Sequence, residues 1–297
     1  MVKRLAKMEK SSIITVRKAL EWGRKNQQKS RKEPLSPEEI LEMESLIAHK
    51  LGKERASLRI YPDEPISPQL WDEIQQDLDK LKKGIPLAYL IGKVEFMSLP
   101  FFVDSRVLIP RPETETLVES VLENLKPAYS LLDLGTGSGC IGLSIAHYLQ
   151  GERILLTDIS QEALEVAKKN ALSLGLANQV EFRISNLFSS ISKDERMDVI
   201  TMNPPYIGED EKSILPSSLF YEPWNALFAP EEGLYFYRKL AKEAPEYLEA
   251  GGFLALELTA TRPLNRILSF FENGRFSKIE IKKDLAGKNR VLLAWKG

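Results

Sequence analysis

The 297-residue chain is predicted to be an α/β protein, a doubly wound and mostly parallel sheet preceded by a small helical domain. Three observations predict this. Beyond Asp104, short apolar runs alternate with helical periodicity to the end of the chain, as in successive βα units. The run Leu131-Leu132-Asp133-Leu134 leads straight into Gly135-Thr136-Gly137-Ser138-Gly139 and then into a helical stretch, 140–149. The first 84 residues carry repeated helix-start signals.

Taken in order, residues 12–29 read as a helix with Ile13, Val16, Leu20 and Trp22 on its apolar stripe. Ser36-Pro37-Glu38-Glu39 is a capping box with proline at the first helical position, and it opens a helix to about Leu51. Ser67-Pro68 repeats the signal before a helix ending near Lys83-Gly84. Trp22 and Trp71 are assigned to the core. Residues 1–84 are thus expected to form a helical substrate-recognition domain, 85–106 a β-hairpin linker and 107–297 the catalytic domain. The hairpin rests on the β-rich runs Tyr89-Leu90-Ile91, Val94-Glu95-Phe96 and Phe101-Phe102-Val103. Further strands are expected at 153–157, 180–184, 199–202 and 253–258, with a closing pair near 279–281 and 291–295. That pair is close enough in sequence to be antiparallel. Residues 207–233 hold acids, prolines and the aromatics Phe220, Tyr221 and Trp224. A connection of that length is usually functional, and it reads as a lid.

Composition narrows the function. Hydrophobic residues make up 43% and charged residues 28%, which describes a globular protein and excludes disorder. A lone cysteine, Cys140, excludes a disulfide framework and fits a reducing compartment. With two histidines, His49 and His147, neither a zinc site nor a Ser/His triad is expected. No apolar run reaches membrane-spanning length, and the start lacks a secretory core, so a cytoplasmic enzyme is expected. The Lys/Arg-rich start with Ser11 and Ser12 also has the composition of an organelle transit peptide, a secondary reading. Residues 1–32 carry a net charge of +9 and the remainder −10. A solvated helix face explains that basic run better than nucleic-acid binding does.

Chemistry concentrates at two places. Strand, glycine turn and helix form a nucleotide-type cradle, because glycine lets backbone approach a ligand closely. The next strand ends on Asp158, placed to accept hydrogen bonds from ribose hydroxyls. Gly137-Ser138-Gly139-Cys140-Ile141-Gly142 also matches the dinucleotide fingerprint. That fingerprint begins two residues after the strand ends. Asp133, inside the first strand, should face a cationic ligand rather than a pyrophosphate. S-adenosyl-L-methionine carries an ammonium and a sulfonium and no phosphate. The second place is Asn203-Pro204-Pro205-Tyr206, after the strand-like run 197–202. Two prolines stiffen the turn and remove two backbone donors. The Asn203 side-chain oxygen and a backbone carbonyl can then accept both hydrogens of a planar –NH2 group, with the Tyr206 ring against its face.

These segments resemble the glutamine methyltransferases of class-I peptide chain release factors, the PrmC/HemK family. The likeness runs through Gly84-Ile85-Pro86-Leu87-Ala88-Tyr89-Leu90-Ile91-Gly92, Glu95-Phe96 and Leu108-Ile109-Pro110-Arg111-Pro112-Glu113-Thr114-Glu115. It continues through Asp133 to Gly139, Asn203 to Ile207, Tyr221-Glu222-Pro223 and Asp284-Leu285-Ala286-Gly287. It implies a Rossmann-like, seven-stranded class I methyltransferase domain using S-adenosyl-L-methionine. The implied substrate is the glutamine amide of a Gly-Gly-Gln loop in class-I release factors, with no metal and no membrane. Position by position, the cofactor loop falls on Gly135, Thr136, Gly137, Ser138 and Gly139, and the ribose acid on Asp158. The adenine contacts fall on Asn186 and Leu187. The substrate clamp falls on Asn203, Pro204, Pro205 and Tyr206, with Asn203 also against the cofactor. Two departures stand out. Ser185-Asn186-Leu187-Phe188 has asparagine where the family usually has an acid, and Leu256-Glu257-Leu258-Thr259 occurs where it often has Ile-Gly. Arg111, Glu113 and Glu115 read equally as substrate-loop contacts or as local caps and pairs.

An amide nitrogen shares its lone pair with the carbonyl and attacks carbon poorly. Two hydrogen bonds from its N–H groups would raise electron density on nitrogen and aim it, with proton loss following transfer. The alternative is an amino methyltransferase of nucleic-acid bases, which also needs to hold a planar amine. A non-catalytic binding protein on the same fold is a third. The acidic balance of residues 33–297 argues against direct nucleic-acid binding.

Overall fold

The computed structural model describes residues 13–29, 33–272 and 274–297. Most of the basic start, with Ser11 and Ser12, therefore lies outside the described residues. The chain divides into two compact units, the first ending at Gly92 and the second beginning at Lys93.

In the first unit, β1 (Ile14–Thr15) leads into α1 (Val16–Gln28), and α2 (Pro37–Lys50) follows. A single helical turn, Ser57–Ile60, precedes β2 (Pro65–Ile66), which pairs antiparallel with β1. Then come α3 (Pro68–Lys82) and the short α4 (Leu87–Ile91). The capping box is present. The Glu39 amide donates to Ser36 Oγ at 3.2 Å, and the Ser36 amide donates back to Glu39 Oε2 at 2.8 Å. Ser67 Oγ caps α3 by accepting from the Leu70 amide. The helices bury Val16, Ala19, Met43, Leu46, Ile74 and Leu78 in one cluster. Gly23 lets α1 approach α2, since a Cβ there would lie 2.8 Å from Met43 Sδ. Trp22 and Trp71 are half-buried and meet edge to face, 5.3 Å between centroids.

Two expectations are corrected here. Ile13 is 48% exposed and precedes the helix; the buried face of α1 is Val16, Ala19, Gly23 and Gln27. Tyr89-Leu90-Ile91 is helical, not a strand. Pro86 opens that helix and Gly92 ends it at φ +72°, which only glycine adopts cheaply. Leu87 and Leu90 pack on the first unit's cluster.

The second unit opens with an antiparallel hairpin, β3 (Lys93–Phe96) and β4 (Leu99–Phe102). Its other elements are α5 (Glu115–Leu122), β5 (Tyr129–Leu134), α6 (Cys140–Tyr148), β6 (Gly151–Asp158), α7 (Gln161–Ser173), β7 (Glu181–Ile184) and β8 (Met197–Met202). Then follow α8 (Tyr235–Glu243), β9 (Leu248–Glu257), α9 (Leu264–Phe271), β10 (Phe276–Lys283) and β11 (Asn289–Lys296). Seven strands make one sheet in the order β10-β11-β9-β8-β5-β6-β7. Those from β9 to β7 are parallel, and β11 runs antiparallel to both β9 and β10. The expected closing pair is present.

Side chains alternate across the sheet with period two. Leu131, Leu156 and Val199 face a cluster with α5 and α6, whereas Leu132, Leu155 and Ile200 face one with α8 and α9. Covering both faces requires apolar residues at successive positions, and this explains the unbroken apolar runs. Strand order reverses between β6 and β8 on either side of β5. At such a switch point the carboxyl ends of the strands leave a crevice.

Candidate active site

A cavity of about 290 Å³ opens at that crevice. Its wall includes Gly135, Thr136, Gly137 and Ser138 from the turn after β5, Asp158 ending β6, and Asn186 and Leu187 after β7. Asn203 and Pro205 after β8 complete that side. Every lining residue lies in the second unit.

The turn folds around Asp133, which is fully buried and does not line the cavity. It accepts hydrogen bonds from Thr136 Oγ1 at 2.5 Å, Thr201 Oγ1 at 2.7 Å and the Gly142 amide at 3.2 Å. Burial pushes its carboxyl up to about 6 even against these donors. The expectation that Asp133 faces a cationic ligand is therefore corrected. Three internal donors satisfy it, and it ties β5 to β8, the turn and α6.

Gly137 sits at φ +56° with open space where a Cβ would be, so its backbone is bare to the cavity. Gly139, at φ +83°, is not on the wall. A Cβ there would lie 2.7 Å from Leu143 Cδ1 and 3.3 Å from Ala167, so its work is packing. Gly142 is packed likewise, 3.0 Å from Leu156 by the same construction.

Asp158 is 8% exposed. Its oxygens accept from the Gly137 amide and the Ser160 amide, each at 2.9 Å, while burial raises its carboxyl above the usual range. Each oxygen keeps acceptor capacity beyond these bonds, and the residue lines the cavity. Beyond β7, Leu187 takes φ +51°, an uncommon conformation that turns the chain beside Asn186. The two arginines on the wall are already engaged. Arg106 pairs with Asp104 at 2.7 Å, and Arg111 with Glu222. A pyrophosphate would find no uncommitted cation among the described wall residues, whereas a phosphate-free nucleoside ligand needs none. The bare glycine turn, the acid ending β6 and the lack of a free cation on the described wall fit S-adenosyl-L-methionine.

Asn203 is half-buried, and its Nδ2 donates to Thr114 Oγ1 at 3.3 Å. Thr114 Oγ1 in turn donates to Glu257 Oε2 at 2.5 Å. Pro204 is buried and Tyr206 half-buried; neither lines the cavity, and Tyr206 packs on the cluster beneath α8. Burial pushes the Tyr206 phenol up to about 12, so it stays protonated at neutral pH.

The Ile109 to Glu115 string is resolved residue by residue. Glu222, 4% exposed, accepts from the Ile109 amide at 3.0 Å and pairs with Arg111. This clamps the string to the 207–233 segment. Glu115 Oε1 accepts from the Met97 amide at 2.6 Å and so anchors the hairpin turn. Glu113 is exposed. Thr114, unremarked between two acids, is the residue of the string that reaches Asn203. Its signal is a hydroxyl that must be paired once buried, and only tertiary structure names the partner.

The 207–233 segment is not open loop. It folds into short turns, Glu209–Ile214 and Ser217–Tyr221, and a helical turn, Trp224–Leu227. It is pinned by Ile207 bridging Phe228. Pro223, Asn225, Ala226 and Phe228 also line the cavity. Other wall positions missed from sequence, such as Val107 and Phe236, are apolar residues that no local pattern marks. Among the described residues no cluster of His, Cys, Asp and Glu suits a metal ion. Nor is any described helix long and apolar enough to cross a membrane.

Residues 112–227 match the methyltransferase small domain family, and residues 17–92 match the PrmC N-terminal domain. A release factor glutamine methyltransferase of Clostridium acetobutylicum is 38% identical, covering 85% of this chain and 90% of its own. One from Rhodopirellula baltica is 34% identical, covering 97% of this chain and 98% of its own. Among solved structures, a methyltransferase from Pyrococcus furiosus superposes with a TM-score of 0.52 at 20% identity, over 68% of this chain and 91% of that one. At that identity the likeness concerns the fold.

Proposed function

The chain belongs to the release factor glutamine methyltransferase family, and from that premise we infer how its residues methylate the glutamine side-chain amide of a release factor. S-adenosyl-L-methionine, when bound, supplies an electrophilic methyl group on a sulfonium. Gly135, Thr136, Gly137 and Ser138 hold it from the β5 side. Gly139 keeps the turn seated on α6 and α7, Asp158 takes the ribose hydroxyls, and Asn186 and Leu187 frame the adenine. Asn186 offers its carbonyl oxygen to the adenine amine without a charge.

One observation carries the substrate reading. Asn203 stands on the cavity wall with Nδ2 committed to Thr114, so Oδ1 is the atom left to accept from an incoming amide. A backbone carbonyl of the Asn203-Pro204-Pro205 turn takes the second N–H, and the prolines stiffen the turn that presents both acceptors. Tyr206 supports the turn from the core side. Two acceptors on one –NH2 raise the electron density of its nitrogen and fix its direction. Orientation of this kind supplies several kcal/mol of a barrier, up to about 7–11 in favourable cases. No histidine lies on the wall, consistent with proton loss after transfer rather than prior abstraction.

The substrate is the glutamine of the Gly-Gly-Gln loop in class-I release factors, with the first unit recognising the factor and 207–233 closing over the loop. Direct nucleic-acid binding has no part in this, and the work is done in the cytoplasm beside the translation machinery. Asn203→Ala is expected to abolish methylation of purified release factor while leaving S-adenosylhomocysteine affinity nearly intact in calorimetry. Equal loss of both would place Asn203 in the cofactor site instead, and label transferred only to RNA would reject the protein substrate.

A further inference from the structure

We propose that Thr114 and Glu257 are positioning residues that set the polarity of Asn203: while Glu257 is ionised, the hydrogen-bond chain holds the Asn203 amide with its oxygen toward the substrate. The proposal rests on Asn203 being the acceptor for the substrate amide, and it adds what makes it an acceptor. An asparagine side chain is nearly symmetric in shape but reversed in hydrogen bonding when flipped. Turned the wrong way, Asn203 would meet the substrate –NH2 with its own –NH2, donor against donor. Something must choose between the two orientations.

The choice follows from counting hydrogens. The Thr114 hydroxyl has one hydrogen, and it goes to Glu257 Oε2, 2.5 Å away. Thr114 Oγ1 is then an acceptor toward Asn203, so Nδ2 must face it and Oδ1 must face away. Both Thr114 and Glu257 are almost fully buried, at 2% and 1% exposure, and Thr114 meets the cavity only at its wall. Glu257 is itself anchored from behind, because the Tyr237 hydroxyl donates to its backbone carbonyl at 3.0 Å.

Protonating Glu257 reverses the chain. Its carboxyl would donate to Thr114, the threonine hydrogen would swing to Asn203, and the amide would turn to present –NH2. Several groups bear on that ionisation. Arg111 and Glu113 face it from the segment before α5, Tyr206 from the turn after β8, Tyr237 from α8 and Arg290 from β11. Burial dominates and pushes the carboxyl up to about 7, opposed by the Thr114 hydrogen bond and the Arg290 charge. Turnover then requires the ionised form and falls as pH drops below that midpoint, about tenfold per unit. A glutamine amide substrate has no titration of its own there.

The test is a pH profile of kcat on purified release factor, with S-adenosylhomocysteine affinity measured in parallel. Thr114→Val is expected to lower kcat about 100-fold, as for a slightly misplaced reacting group, without weakening S-adenosylhomocysteine. Thr114→Ser restores the hydroxyl and should recover most of that loss, which a packing role alone would not predict. Glu257→Gln cannot titrate and keeps an oxygen able to accept from Thr114, so the turnover it retains should lack the acid limb. An acid limb that persists in Glu257→Gln would assign it to another group, such as the buried Asp133, and overturn the proposal. So would wild-type kcat in Thr114→Val. If Asn203→Ala is also active, the substrate assignment has failed; if Asn203→Ala is dead while Thr114→Val is normal, only the relay has.

Discussion

At the scale of single residues, the site depends on backbone close approach as much as on side-chain chemistry. Gly233 shows this. It sits at φ +84°, and a Cβ there would overlap the Tyr206 carbonyl oxygen and lie 2.8 Å from its carbon. Neither atom belongs to a flexible side chain, so Gly233→Ala must shift the clamp turn. The left-handed conformation alone costs roughly 1–2 kcal/mol in alanine, and the overlap adds to it. Gly233→Ala is expected to lower the urea midpoint and reduce kcat, although residue 233 is remote in sequence from Asn203. Unchanged kcat in a destabilised variant would mean the turn does not feel that contact. Type and spacing pick out Gly135, Thr136, Gly137, Ser138, Asp158, Asn186, Leu187, Asn203 and Pro205, which all line the cavity, but also Gly139, Pro204 and Tyr206, which do not. Asp133 escapes such reading, because an acid in a strand looks the same in sequence whether it faces a ligand or three internal donors.

At the scale of elements, local signals decided most boundaries and failed where a short segment obeyed its neighbours. The capping box at Ser36 and the N-cap at Ser67 sit where the pattern placed them, since those bonds close within three residues. Residues 87–91 form a helix despite a β-rich composition, because one helical turn lets Leu87 and Leu90 reach the first unit's core. The hairpin shows the reverse economy. Its turn residues Met97 and Ser98 take φ +50° and +56°, the geometry of a two-residue turn that favours glycine and asparagine. External anchors sustain it: Glu115 accepts the Met97 amide, and the Tyr148 hydroxyl donates to the Met97 carbonyl at 2.5 Å. Ser98 is exposed, so Ser98→Gly removes strain without removing packing. That change is expected to stabilise the protein by up to about 1 kcal/mol, read as a higher denaturation midpoint. A lower midpoint would show that chain entropy outweighs the turn strain.

At the scale of the whole molecule, the described chain holds two units with separate cores, and the cavity belongs to one of them. Its lining runs from Arg106 to Phe236, inside the unit that begins at Lys93. A protein comprising residues 93–297 is therefore expected to bind S-adenosylhomocysteine within a few-fold of the full chain. It should methylate release factor far more slowly, since recognition is assigned to the first unit. Calorimetry and a methyl-transfer assay on the same preparation check both halves. Failure to bind in a folded fragment would show that the first unit contributes to the cofactor site.

The βα alternation, the glycine turn, the acid ending β6 and the proline-braced turn after β8 are all readable from the chain alone. Each is written within a few consecutive residues and enforced by local geometry: φ freedom at glycine, φ restriction at proline, period two in a strand. Folding alone reveals that Asp133 braces the turn, that Gly139 packs instead of lining the cavity, and that Thr114 links Asn203 to Glu257. The Thr114 links join positions 89 and 143 residues apart, and the bond from Thr201 to Asp133 joins positions 68 apart. A buried hydroxyl or carboxylate takes its function from whichever donor or acceptor folding brings within about 3 Å, and no local pattern records that partner.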